Sequence, residues 1–299
     1  MHSSFAHLLE SARESFTRGT LYVVATPIGN LTDITARALA AFSVADVICA
    51  EDTRVTGHLL SAYGISAKLV SLREHNERAM AEQVIRWLGE DKIVVQVSDA
   101  GTPAVSDPGA RLAEAVHKAG RRVCPIPGPS AVVAALSASG LSTTAFLFHG
   151  FLPPKSGERR RVLAGWRNAP FCVACYEAPH RLLDTLQDIV AELGPERPLM
   201  LARELTKTFE TVRHLPAGKM LEWVASDSNQ QRGEIVLIID AAPPLDEPEA
   251  LDEQTLHTLA VLAAELPTKQ AATLAAQITG ANRKQLYERA LALKNTDND

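Results

Sequence analysis

Short apolar runs alternate along the chain with longer segments whose apolar residues return every three or four positions. Leu21 to Ala25, Asp46 to Ala50, Lys68 to Ser71, Ile93 to Val97 and Arg122 to Ile126 read as strands. The run Ile93, Val94, Val95 and Val97 is apolar without alternation, as expected of a strand covered on both faces. Between these strands the period is helical: a helix capped by Asp33 through Ala41, one to about Tyr63, one from Asn76 to Leu88, and one to about Ala119 that stops at Gly120. Strand and helix in alternation predict a largely parallel sheet.

The loops after three of these strands are unusual. Ser98 to Gly109 is twelve residues of small and turn-forming types, longer than the about 2 to 6 residues such a connection usually needs. Asp107-Pro108 at its end reads as an N-cap followed by proline at the first helical position. Thr26-Pro27-Ile28-Gly29-Asn30-Leu31 follows the first strand, and Glu51-Asp52-Thr53-Arg54 places four polar residues where the second meets its loop. Pro127-Gly128-Pro129-Ser130-Ala131 then opens a helix rich in Ala and Val that stops at Gly140, and its three turn residues suit a hinge. In open α/β sheets ligands sit beyond the carboxyl ends of the strands, where these loops lie.

A second sheet is expected from Ala145 to His149, Phe171 to Tyr176, Leu199 to Arg203, Thr211 to His214 and the apolar run Ile235 to Ile239. The Pro- and acid-rich stretch 241–250 reads as a linker. Three helices should follow, Leu251 to Glu265, Thr268 to Gly280 and Asn282 to Lys294. The last is basic, and with its neighbour it reads equally well as a helix-turn-helix unit or as a small capping bundle. The chain thus divides into an extension 1–18, weakly helical or disordered, an α/β domain 19–126, a second α/β domain 127–240, the linker and a helical domain 251–299.

Composition narrows the classes. Of 299 residues 46% are hydrophobic, enough for full cores, and no apolar run approaches the roughly 18 residues of a membrane span. No signal peptide is apparent, so a cytoplasmic protein is expected. Cys49, Cys124, Cys172 and Cys175 lie in apolar strands as reduced thiols would, and the two of Cys172-Val-Ala-Cys175 should point to opposite faces, so no metal site is expected. The net charge of -5 limits nucleic-acid contact to local patches. Phe151 to Arg181 holds six Lys or Arg against two Glu, and Thr268 to Lys294 holds five against one. Neither a G-x-G-x-x-G nor a Walker sequence follows the first strand, and H-E-x-x-H and G-x-S-x-G are absent. What remains is a pocket walled by loop backbone, suited to a compact ligand with little phosphate charge.

Six segments in order, Ala25 to Leu31, Glu51 to Arg54, Val97 to Gly109, Pro125 to Ala131, Tyr176 to Arg181 and Arg203 to Lys207, resemble the tetrapyrrole methylase superfamily. Within it they are most similar to the bacterial 16S rRNA (cytidine-2'-O)-methyltransferases, over roughly Gly19 to Asp240, and the helical tail is similar too. The resemblance implies a two-domain α/β fold, S-adenosylmethionine in the cleft between the domains, a homodimer, and 16S rRNA or the small ribosomal subunit as partner, with no membrane. It places the cofactor on Pro27, Ala100, Gly101, Thr102, Val105, Ser130, Ala131, Glu177 and Leu205. Where the porphyrinoid-modifying members carry Gly-Asp-Pro, this chain has Gly101-Thr102-Pro103, which argues against a tetrapyrrole substrate.

Methyl transfer to a ribose hydroxyl needs alignment, a dry pocket and an acceptor for the hydroxyl proton. Asp52, Asp99, Glu177 and Glu204 are the candidate acceptors, and spacing does not choose among them. Lys155, Arg159, Arg160, Arg161, His180, Arg181, Arg283 and Lys284 are the candidate RNA contacts. The competing readings are a porphyrinoid methyltransferase, which would not need basic patches on two separate elements, and a non-catalytic RNA-binding assembly factor.

Overall fold

The computed structural model describes residues 2–141, 145–243 and 251–296. They fall into two compact units, Met1–Ala241 and Ala242–Asp299. The N-terminal segment, expected to be weakly helical or disordered, forms helix α1 (His2–Glu14). Tertiary contacts hold it: Arg13 Nε donates to Ser43 Oγ at 2.9 Å, and Phe16 beyond the helix meets the Tyr22 ring edge-on at 4.8 Å.

Then come β1 (Thr20–Val24), α2 (Ala36–Val44), β2 (Val47–Ala50), α3 (Thr53–Ala62), β3 (Leu69–Ser71), α4 (Glu77–Gly89), β4 (Val94–Val97), α5 (Ala110–Lys118) and β5 (Arg122–Ile126). The strands form one sheet in the order β3-β2-β4-β1-β5, every pair parallel, as the alternation of elements predicts. All four residues of β4 are buried, which is why its sequence lacks alternation. The chain leaves β1 toward β2 and leaves β4 toward β5, in opposite directions across the sheet, so the loops after β1 and β4 stand side by side at its switch point.

Two helix starts differ from expectation. Asp33 lies in a short 3-10 turn (Leu31–Asp33), and α2 is capped by Thr35, whose hydroxyl accepts the Ala38 amide at 3.1 Å. Nor does α5 begin at Asp107-Pro108. Gly109 is its N-cap, and the amides of Gly109 and Leu112 donate to Oε1 of Glu77 at 3.0 and 3.1 Å. A buried carboxylate from the first turn of α4 thus satisfies amides that a local Asp would otherwise take, and Asp107 is left free of the helix.

The second sheet is built from β6 (Phe146–Phe151), β7 (Cys172–Glu177), β8 (Pro198–Arg203), β9 (Thr211–Pro216) and β10 (Ile235–Ile239), in the order β6-β7-β10-β8-β9. Only β6 and β7 pair in parallel; the other pairs are antiparallel. Helix α6 (Ala131–Ser137) packs through Val132 and Ala135 on the face that carries Cys172, Ala174, Ala202 and Val236. Helices α7 (Ser156–Ala164), α8 (Leu182–Leu193) and α9 (Ala217–Ser226) cover the other face, which carries Val173, Cys175, Leu201 and Leu237. Cys172 and Cys175 therefore point to opposite faces, as expected of a strand.

In the smaller unit, α10 (Glu253–Glu265), α11 (Thr268–Thr279) and α12 (Arg283–Thr296) enclose Leu259, Ala272, Ala275, Leu286 and Ala290. Asp252 caps α10, and Gly280 in the left-handed region ends α11. Most of the expected linker, 244–250, lies outside the described residues.

Gly109 has φ +127°, and a Cβ there would stand 1.7 Å from Gln96 Nε2 beneath it. Gly109→Ala should therefore cost about 2 kcal/mol or more, through backbone strain and displacement of the buried Gln96. A lowered urea midpoint with an unchanged slope is the expected result; an unchanged midpoint would show that the α5 start tolerates a side chain.

Candidate active site

The strand ends build the site. Beyond β1 and β4 the loops are stitched together by two backbone hydrogen bonds, Thr26 N to Gly101 O at 2.9 Å and Gly101 N to Thr26 O at 3.0 Å. Gly101 has φ +75°, a conformation that needs glycine. Its missing Cβ would face Ile28 Cγ2 at 3.3 Å and Pro129 O at 3.7 Å, so the residue serves the packing of three loops against one another. The Thr102 hydroxyl donates to the same Pro129 carbonyl at 3.0 Å and ties the long loop to the lead-in of α6.

Between these loops and the second sheet lies a cavity of about 460 Å³, a size suited to a small cofactor. One wall is Ile28, Glu51 and the segment Asp99 to Asp107; the other is Phe151, Tyr176 to Pro179, Ala202, Leu205 and Gly233 to Val236, with Ser130 and Ala131 joining them. Eight of the nine residues proposed for the cofactor, Ala100, Gly101, Thr102, Val105, Ser130, Ala131, Glu177 and Leu205, line this cavity. Pro27 lines a second, smaller one of about 310 Å³ beside it, and Asp99 borders both. No Lys or Arg is among the lining residues of the larger cavity, whereas Glu51, Asp99 and Asp107 are. That donor set suits a cationic ligand and offers nothing to a phosphate.

The four candidate proton acceptors fare differently. Glu177 is fully enclosed: Oε1 accepts from the Ala178 amide at 2.7 Å and from Arg181 Nε at 2.7 Å, and Oε2 from Thr185 Oγ1 at 2.5 Å. It is a structural knot at the end of β7, occupied on both oxygens. Asp52 caps α3 and pairs with Arg54 at 2.6 Å, and these bonds hold its carboxyl far below the usual range, which makes it a poor base. Glu204 accepts from Lys207 at 2.8 Å and from the Glu234 amide at 3.0 Å, and its pKa is likewise lowered, chiefly by Lys207. Asp99 is exposed, with Oδ1 accepting the Asp52 amide at 2.9 Å.

Three carboxylates outside that set line the cavity, Glu51, Asp107 and Glu234, the last paired with Lys207. Burial raises the pKa of Glu51, and the charge of Asp107 adds to it. Asp107 is raised too, first by burial and then by Asp99, with a hydrogen bond to Ser98 opposing. Across the cavity the Tyr176 hydroxyl is pushed up by burial and by the charge of Asp107. The sequence hid Asp107 because an Asp before Pro at a helix start reads as a cap; Glu51 stood in a polar strand end with nothing to favour it over its neighbour Asp52.

The basic residues also separate. Arg159 is 2% exposed, pairs with Asp188 at 2.6 Å and donates to the Pro153 and Pro154 carbonyls, so it is a core residue and not an RNA contact. Arg181 is committed to Glu177 and the Leu152 carbonyl. Arg160 pairs with Glu192 at 2.7 Å, and Arg161 is exposed on the same helix, which covers the sheet face opposite α6. Lys155 is exposed four residues after Phe151, and His180 is exposed next to Pro179, both neighbours being cavity residues. Arg283 and Lys284 are exposed at the start of α12.

Residues 20–221 match the family model described as tetrapyrrole (corrin/porphyrin) methylases, and residues 249–294 match one described as the RsmI C-terminal HTH domain. The chain is 56% identical over 292 residues to the ribosomal RNA small subunit methyltransferase I of Neisseria meningitidis serogroup B, covering 97% of this chain and 99% of the relative. It is 50% identical over 275 residues to the protein of the same name from Escherichia coli O157:H7, covering 92% and 96%. Among solved structures, uroporphyrin-III-C-methyltransferase from Thermus thermophilus superposes with a TM-score of 0.52 at 22% identity, over 75% of this chain and 94% of that one. The methyltransferase CobJ superposes at 0.56 with 20% identity, over 75% and 95%. At such identities these two structures establish a shared fold.

Because Arg159 and Asp188 neutralise each other out of water, Arg159→Ala should lower stability by about 3 kcal/mol through the carboxylate it strands. Its effect on the salt dependence of RNA binding should be nil once the protein is folded. A destabilisation under about 1 kcal/mol in chemical denaturation would contradict the buried pairing.

Proposed function

The chain belongs to the tetrapyrrole (corrin/porphyrin) methylases, and from that premise we propose that it transfers a methyl group from S-adenosylmethionine to the 2'-hydroxyl of a cytidine in 16S rRNA. The observation that carries the reading is near-full-length similarity, through both units, to proteins named ribosomal RNA small subunit methyltransferase I. S-Adenosylmethionine supplies a methyl carbon on a positively charged sulfur, and Glu51, Asp99 and Asp107 of the cavity wall complement that charge where lysine and arginine are missing. The backbone of Ala100, Gly101 and Thr102, with Ser130, Ala131, Val105 and Leu205, would hold its uncharged parts, with Pro27 beneath and the tied Glu177 as rigid wall.

Transfer proceeds through alignment more than through charge stabilisation, since the positive charge on sulfur disappears as the methyl group moves. The loop-walled cavity suits that requirement because rigid walls on two sides would hold the reacting groups in fixed positions. For the RNA we assign Lys155 and His180 to phosphates beside the cavity and Arg283 and Lys284 to a more distant contact by the basic helix. Arg160 and Arg161 would join only if RNA wraps past the sheet edge.

We further propose a homodimer acting in the cytoplasm. Phe146 is 50% exposed and Val133 60% exposed, apolar surface that a second copy would cover. Among the described residues no helix is long and apolar enough to cross a membrane.

Tritiated methyl transfer to small ribosomal subunits, with nuclease mapping, should place one 2'-O-methyl group on a cytidine, and transfer to uroporphyrinogen III should be absent. The opposite pattern would reverse the substrate assignment. Replacing Lys155 and His180 together by Ala should raise the Michaelis constant for RNA and reduce the salt slope by about one to two counterions, with cofactor affinity retained. Light scattering at micromolar concentration should give twice the chain mass.

A further inference from the structure

Four of the five carboxylates that line the cavity accept from backbone amides or cationic side chains, whereas Asp107 is met by the Ser98 hydroxyl. Glu177 is closed off by Arg181, Thr185 and the Ala178 amide. Glu234 reaches Lys207 at 2.6 Å, with its side chain 74% exposed. Asp99 holds the Asp52 amide, and Glu51 faces the Asp99 amide at 3.4 Å with Arg73 nearby. Asp107 stands apart, because Glu77 has taken over the helix start that an Asp at this place would serve. It comes from the first sheet's loop and lines the cavity together with Glu51, which follows β2, and Tyr176 on β7, and its charge acts on both.

Building on the methyltransferase reading above, we propose that Asp107 is the catalytic base, accepting the ribose 2'-hydroxyl proton as the oxygen attacks the methyl carbon. The O–H pair becomes the new bond from oxygen to carbon, the bond from carbon to sulfur breaks with its pair remaining on sulfur, and the proton resides on the Asp107 carboxyl until water removes it. S-Adenosylhomocysteine and the 2'-O-methyl ribose are the products, so atoms and charge balance without a further reactant.

The surroundings fit this task. Partial burial and the neighbouring Asp99 make Asp107 a stronger base than a free carboxylate, while the Ser98 hydroxyl acts against them. The charged or titratable groups facing the cluster are Glu51 with Arg73 behind it, Asp99, Tyr176, and Glu234 on the Tyr176 side. Asp107 and Glu51 titrate as an interacting pair, the charge of Asp107 raising Glu51. Ala104 in the same loop has φ +63°, and strain of this kind recurs where a loop is held in a working conformation.

Asp107→Asn is isosteric and keeps the loop, so it separates chemistry from folding. Its kcat on small subunits should fall about 100-fold or more, while the dissociation constants for S-adenosylmethionine by calorimetry and for RNA by filter binding stay within about threefold. Wild-type kcat should decline as pH drops and Asp107 takes up a proton, and the residual activity of Asp107→Asn should lack that decline. Asp107→Glu should restore part of the rate. Glu51→Gln, by removing a neighbouring negative charge, should move the wild-type decline to lower pH. Asp107→Ser, which also removes the carboxylate, should match Asp107→Asn in rate. A kcat for Asp107→Asn within about twofold of wild type, or an unaltered acid limb, would overturn the assignment. Failure of the wild-type protein to methylate rRNA would instead defeat the proposed function itself.

Discussion

Two backbone hydrogen bonds between Thr26 and Gly101 hold the cavity in being. They extend β1 and β4 beyond the sheet as one antiparallel bridge between two parallel strands, a geometry that requires the chain to turn back on itself at the switch point. The turn requires glycine at a positive φ, and the room for it requires Ile28 and Pro129 to close around a missing Cβ. Thr102 then reaches the Pro129 carbonyl, so the loop that walls one side also fixes the approach to the second sheet. Three loops are thereby held by two backbone hydrogen bonds and one from the Thr102 hydroxyl, so that holding them together takes no carboxylate.

A second economy concerns Glu77 and Asp107. Helix α5 must have its first amides satisfied, and the nearest carboxylate in sequence is Asp107. Its amides are satisfied from thirty-two residues away, by a buried Glu at the start of α4. That arrangement ties α4 to α5 in the core beside Gln96, and it leaves a carboxylate exposed to the cavity at the cost of crowding three negative charges. Such crowding raises the protonation affinity of Glu51 and Asp107 and favours a cation among the three, features that serve chemistry and not stability.

The second sheet handles its charges in the opposite way. The buried pair of Arg159 with Asp188 joins α7 to α8, and the partly buried pair of Arg181 with Glu177 joins the end of β7 to the turn that leads into α8. Their formal charges disappear into the fold. The count of basic residues in this segment therefore overstates the positive charge it presents to solvent.

Periodicity alone determined the parallel first sheet, the strand that is apolar on both faces, the opposed cysteines and the three-helix tail, because each depends on which residues must leave water. Ordered motifs singled out nine residues as the expected cofactor contacts, and eight of the nine line one cavity. Local chemistry could not decide the helix caps at Asp33 and Asp107, since a carboxylate near an amide in sequence competes with hydroxyls and carboxylates brought there by the fold. Nor could composition separate Arg159 from Arg161, or Glu177 from Asp107, though each pair has the same charge. Whether a charge is spent on a buried partner or kept for a ligand depends on which distant element packs against it, and only the tertiary structure decided that.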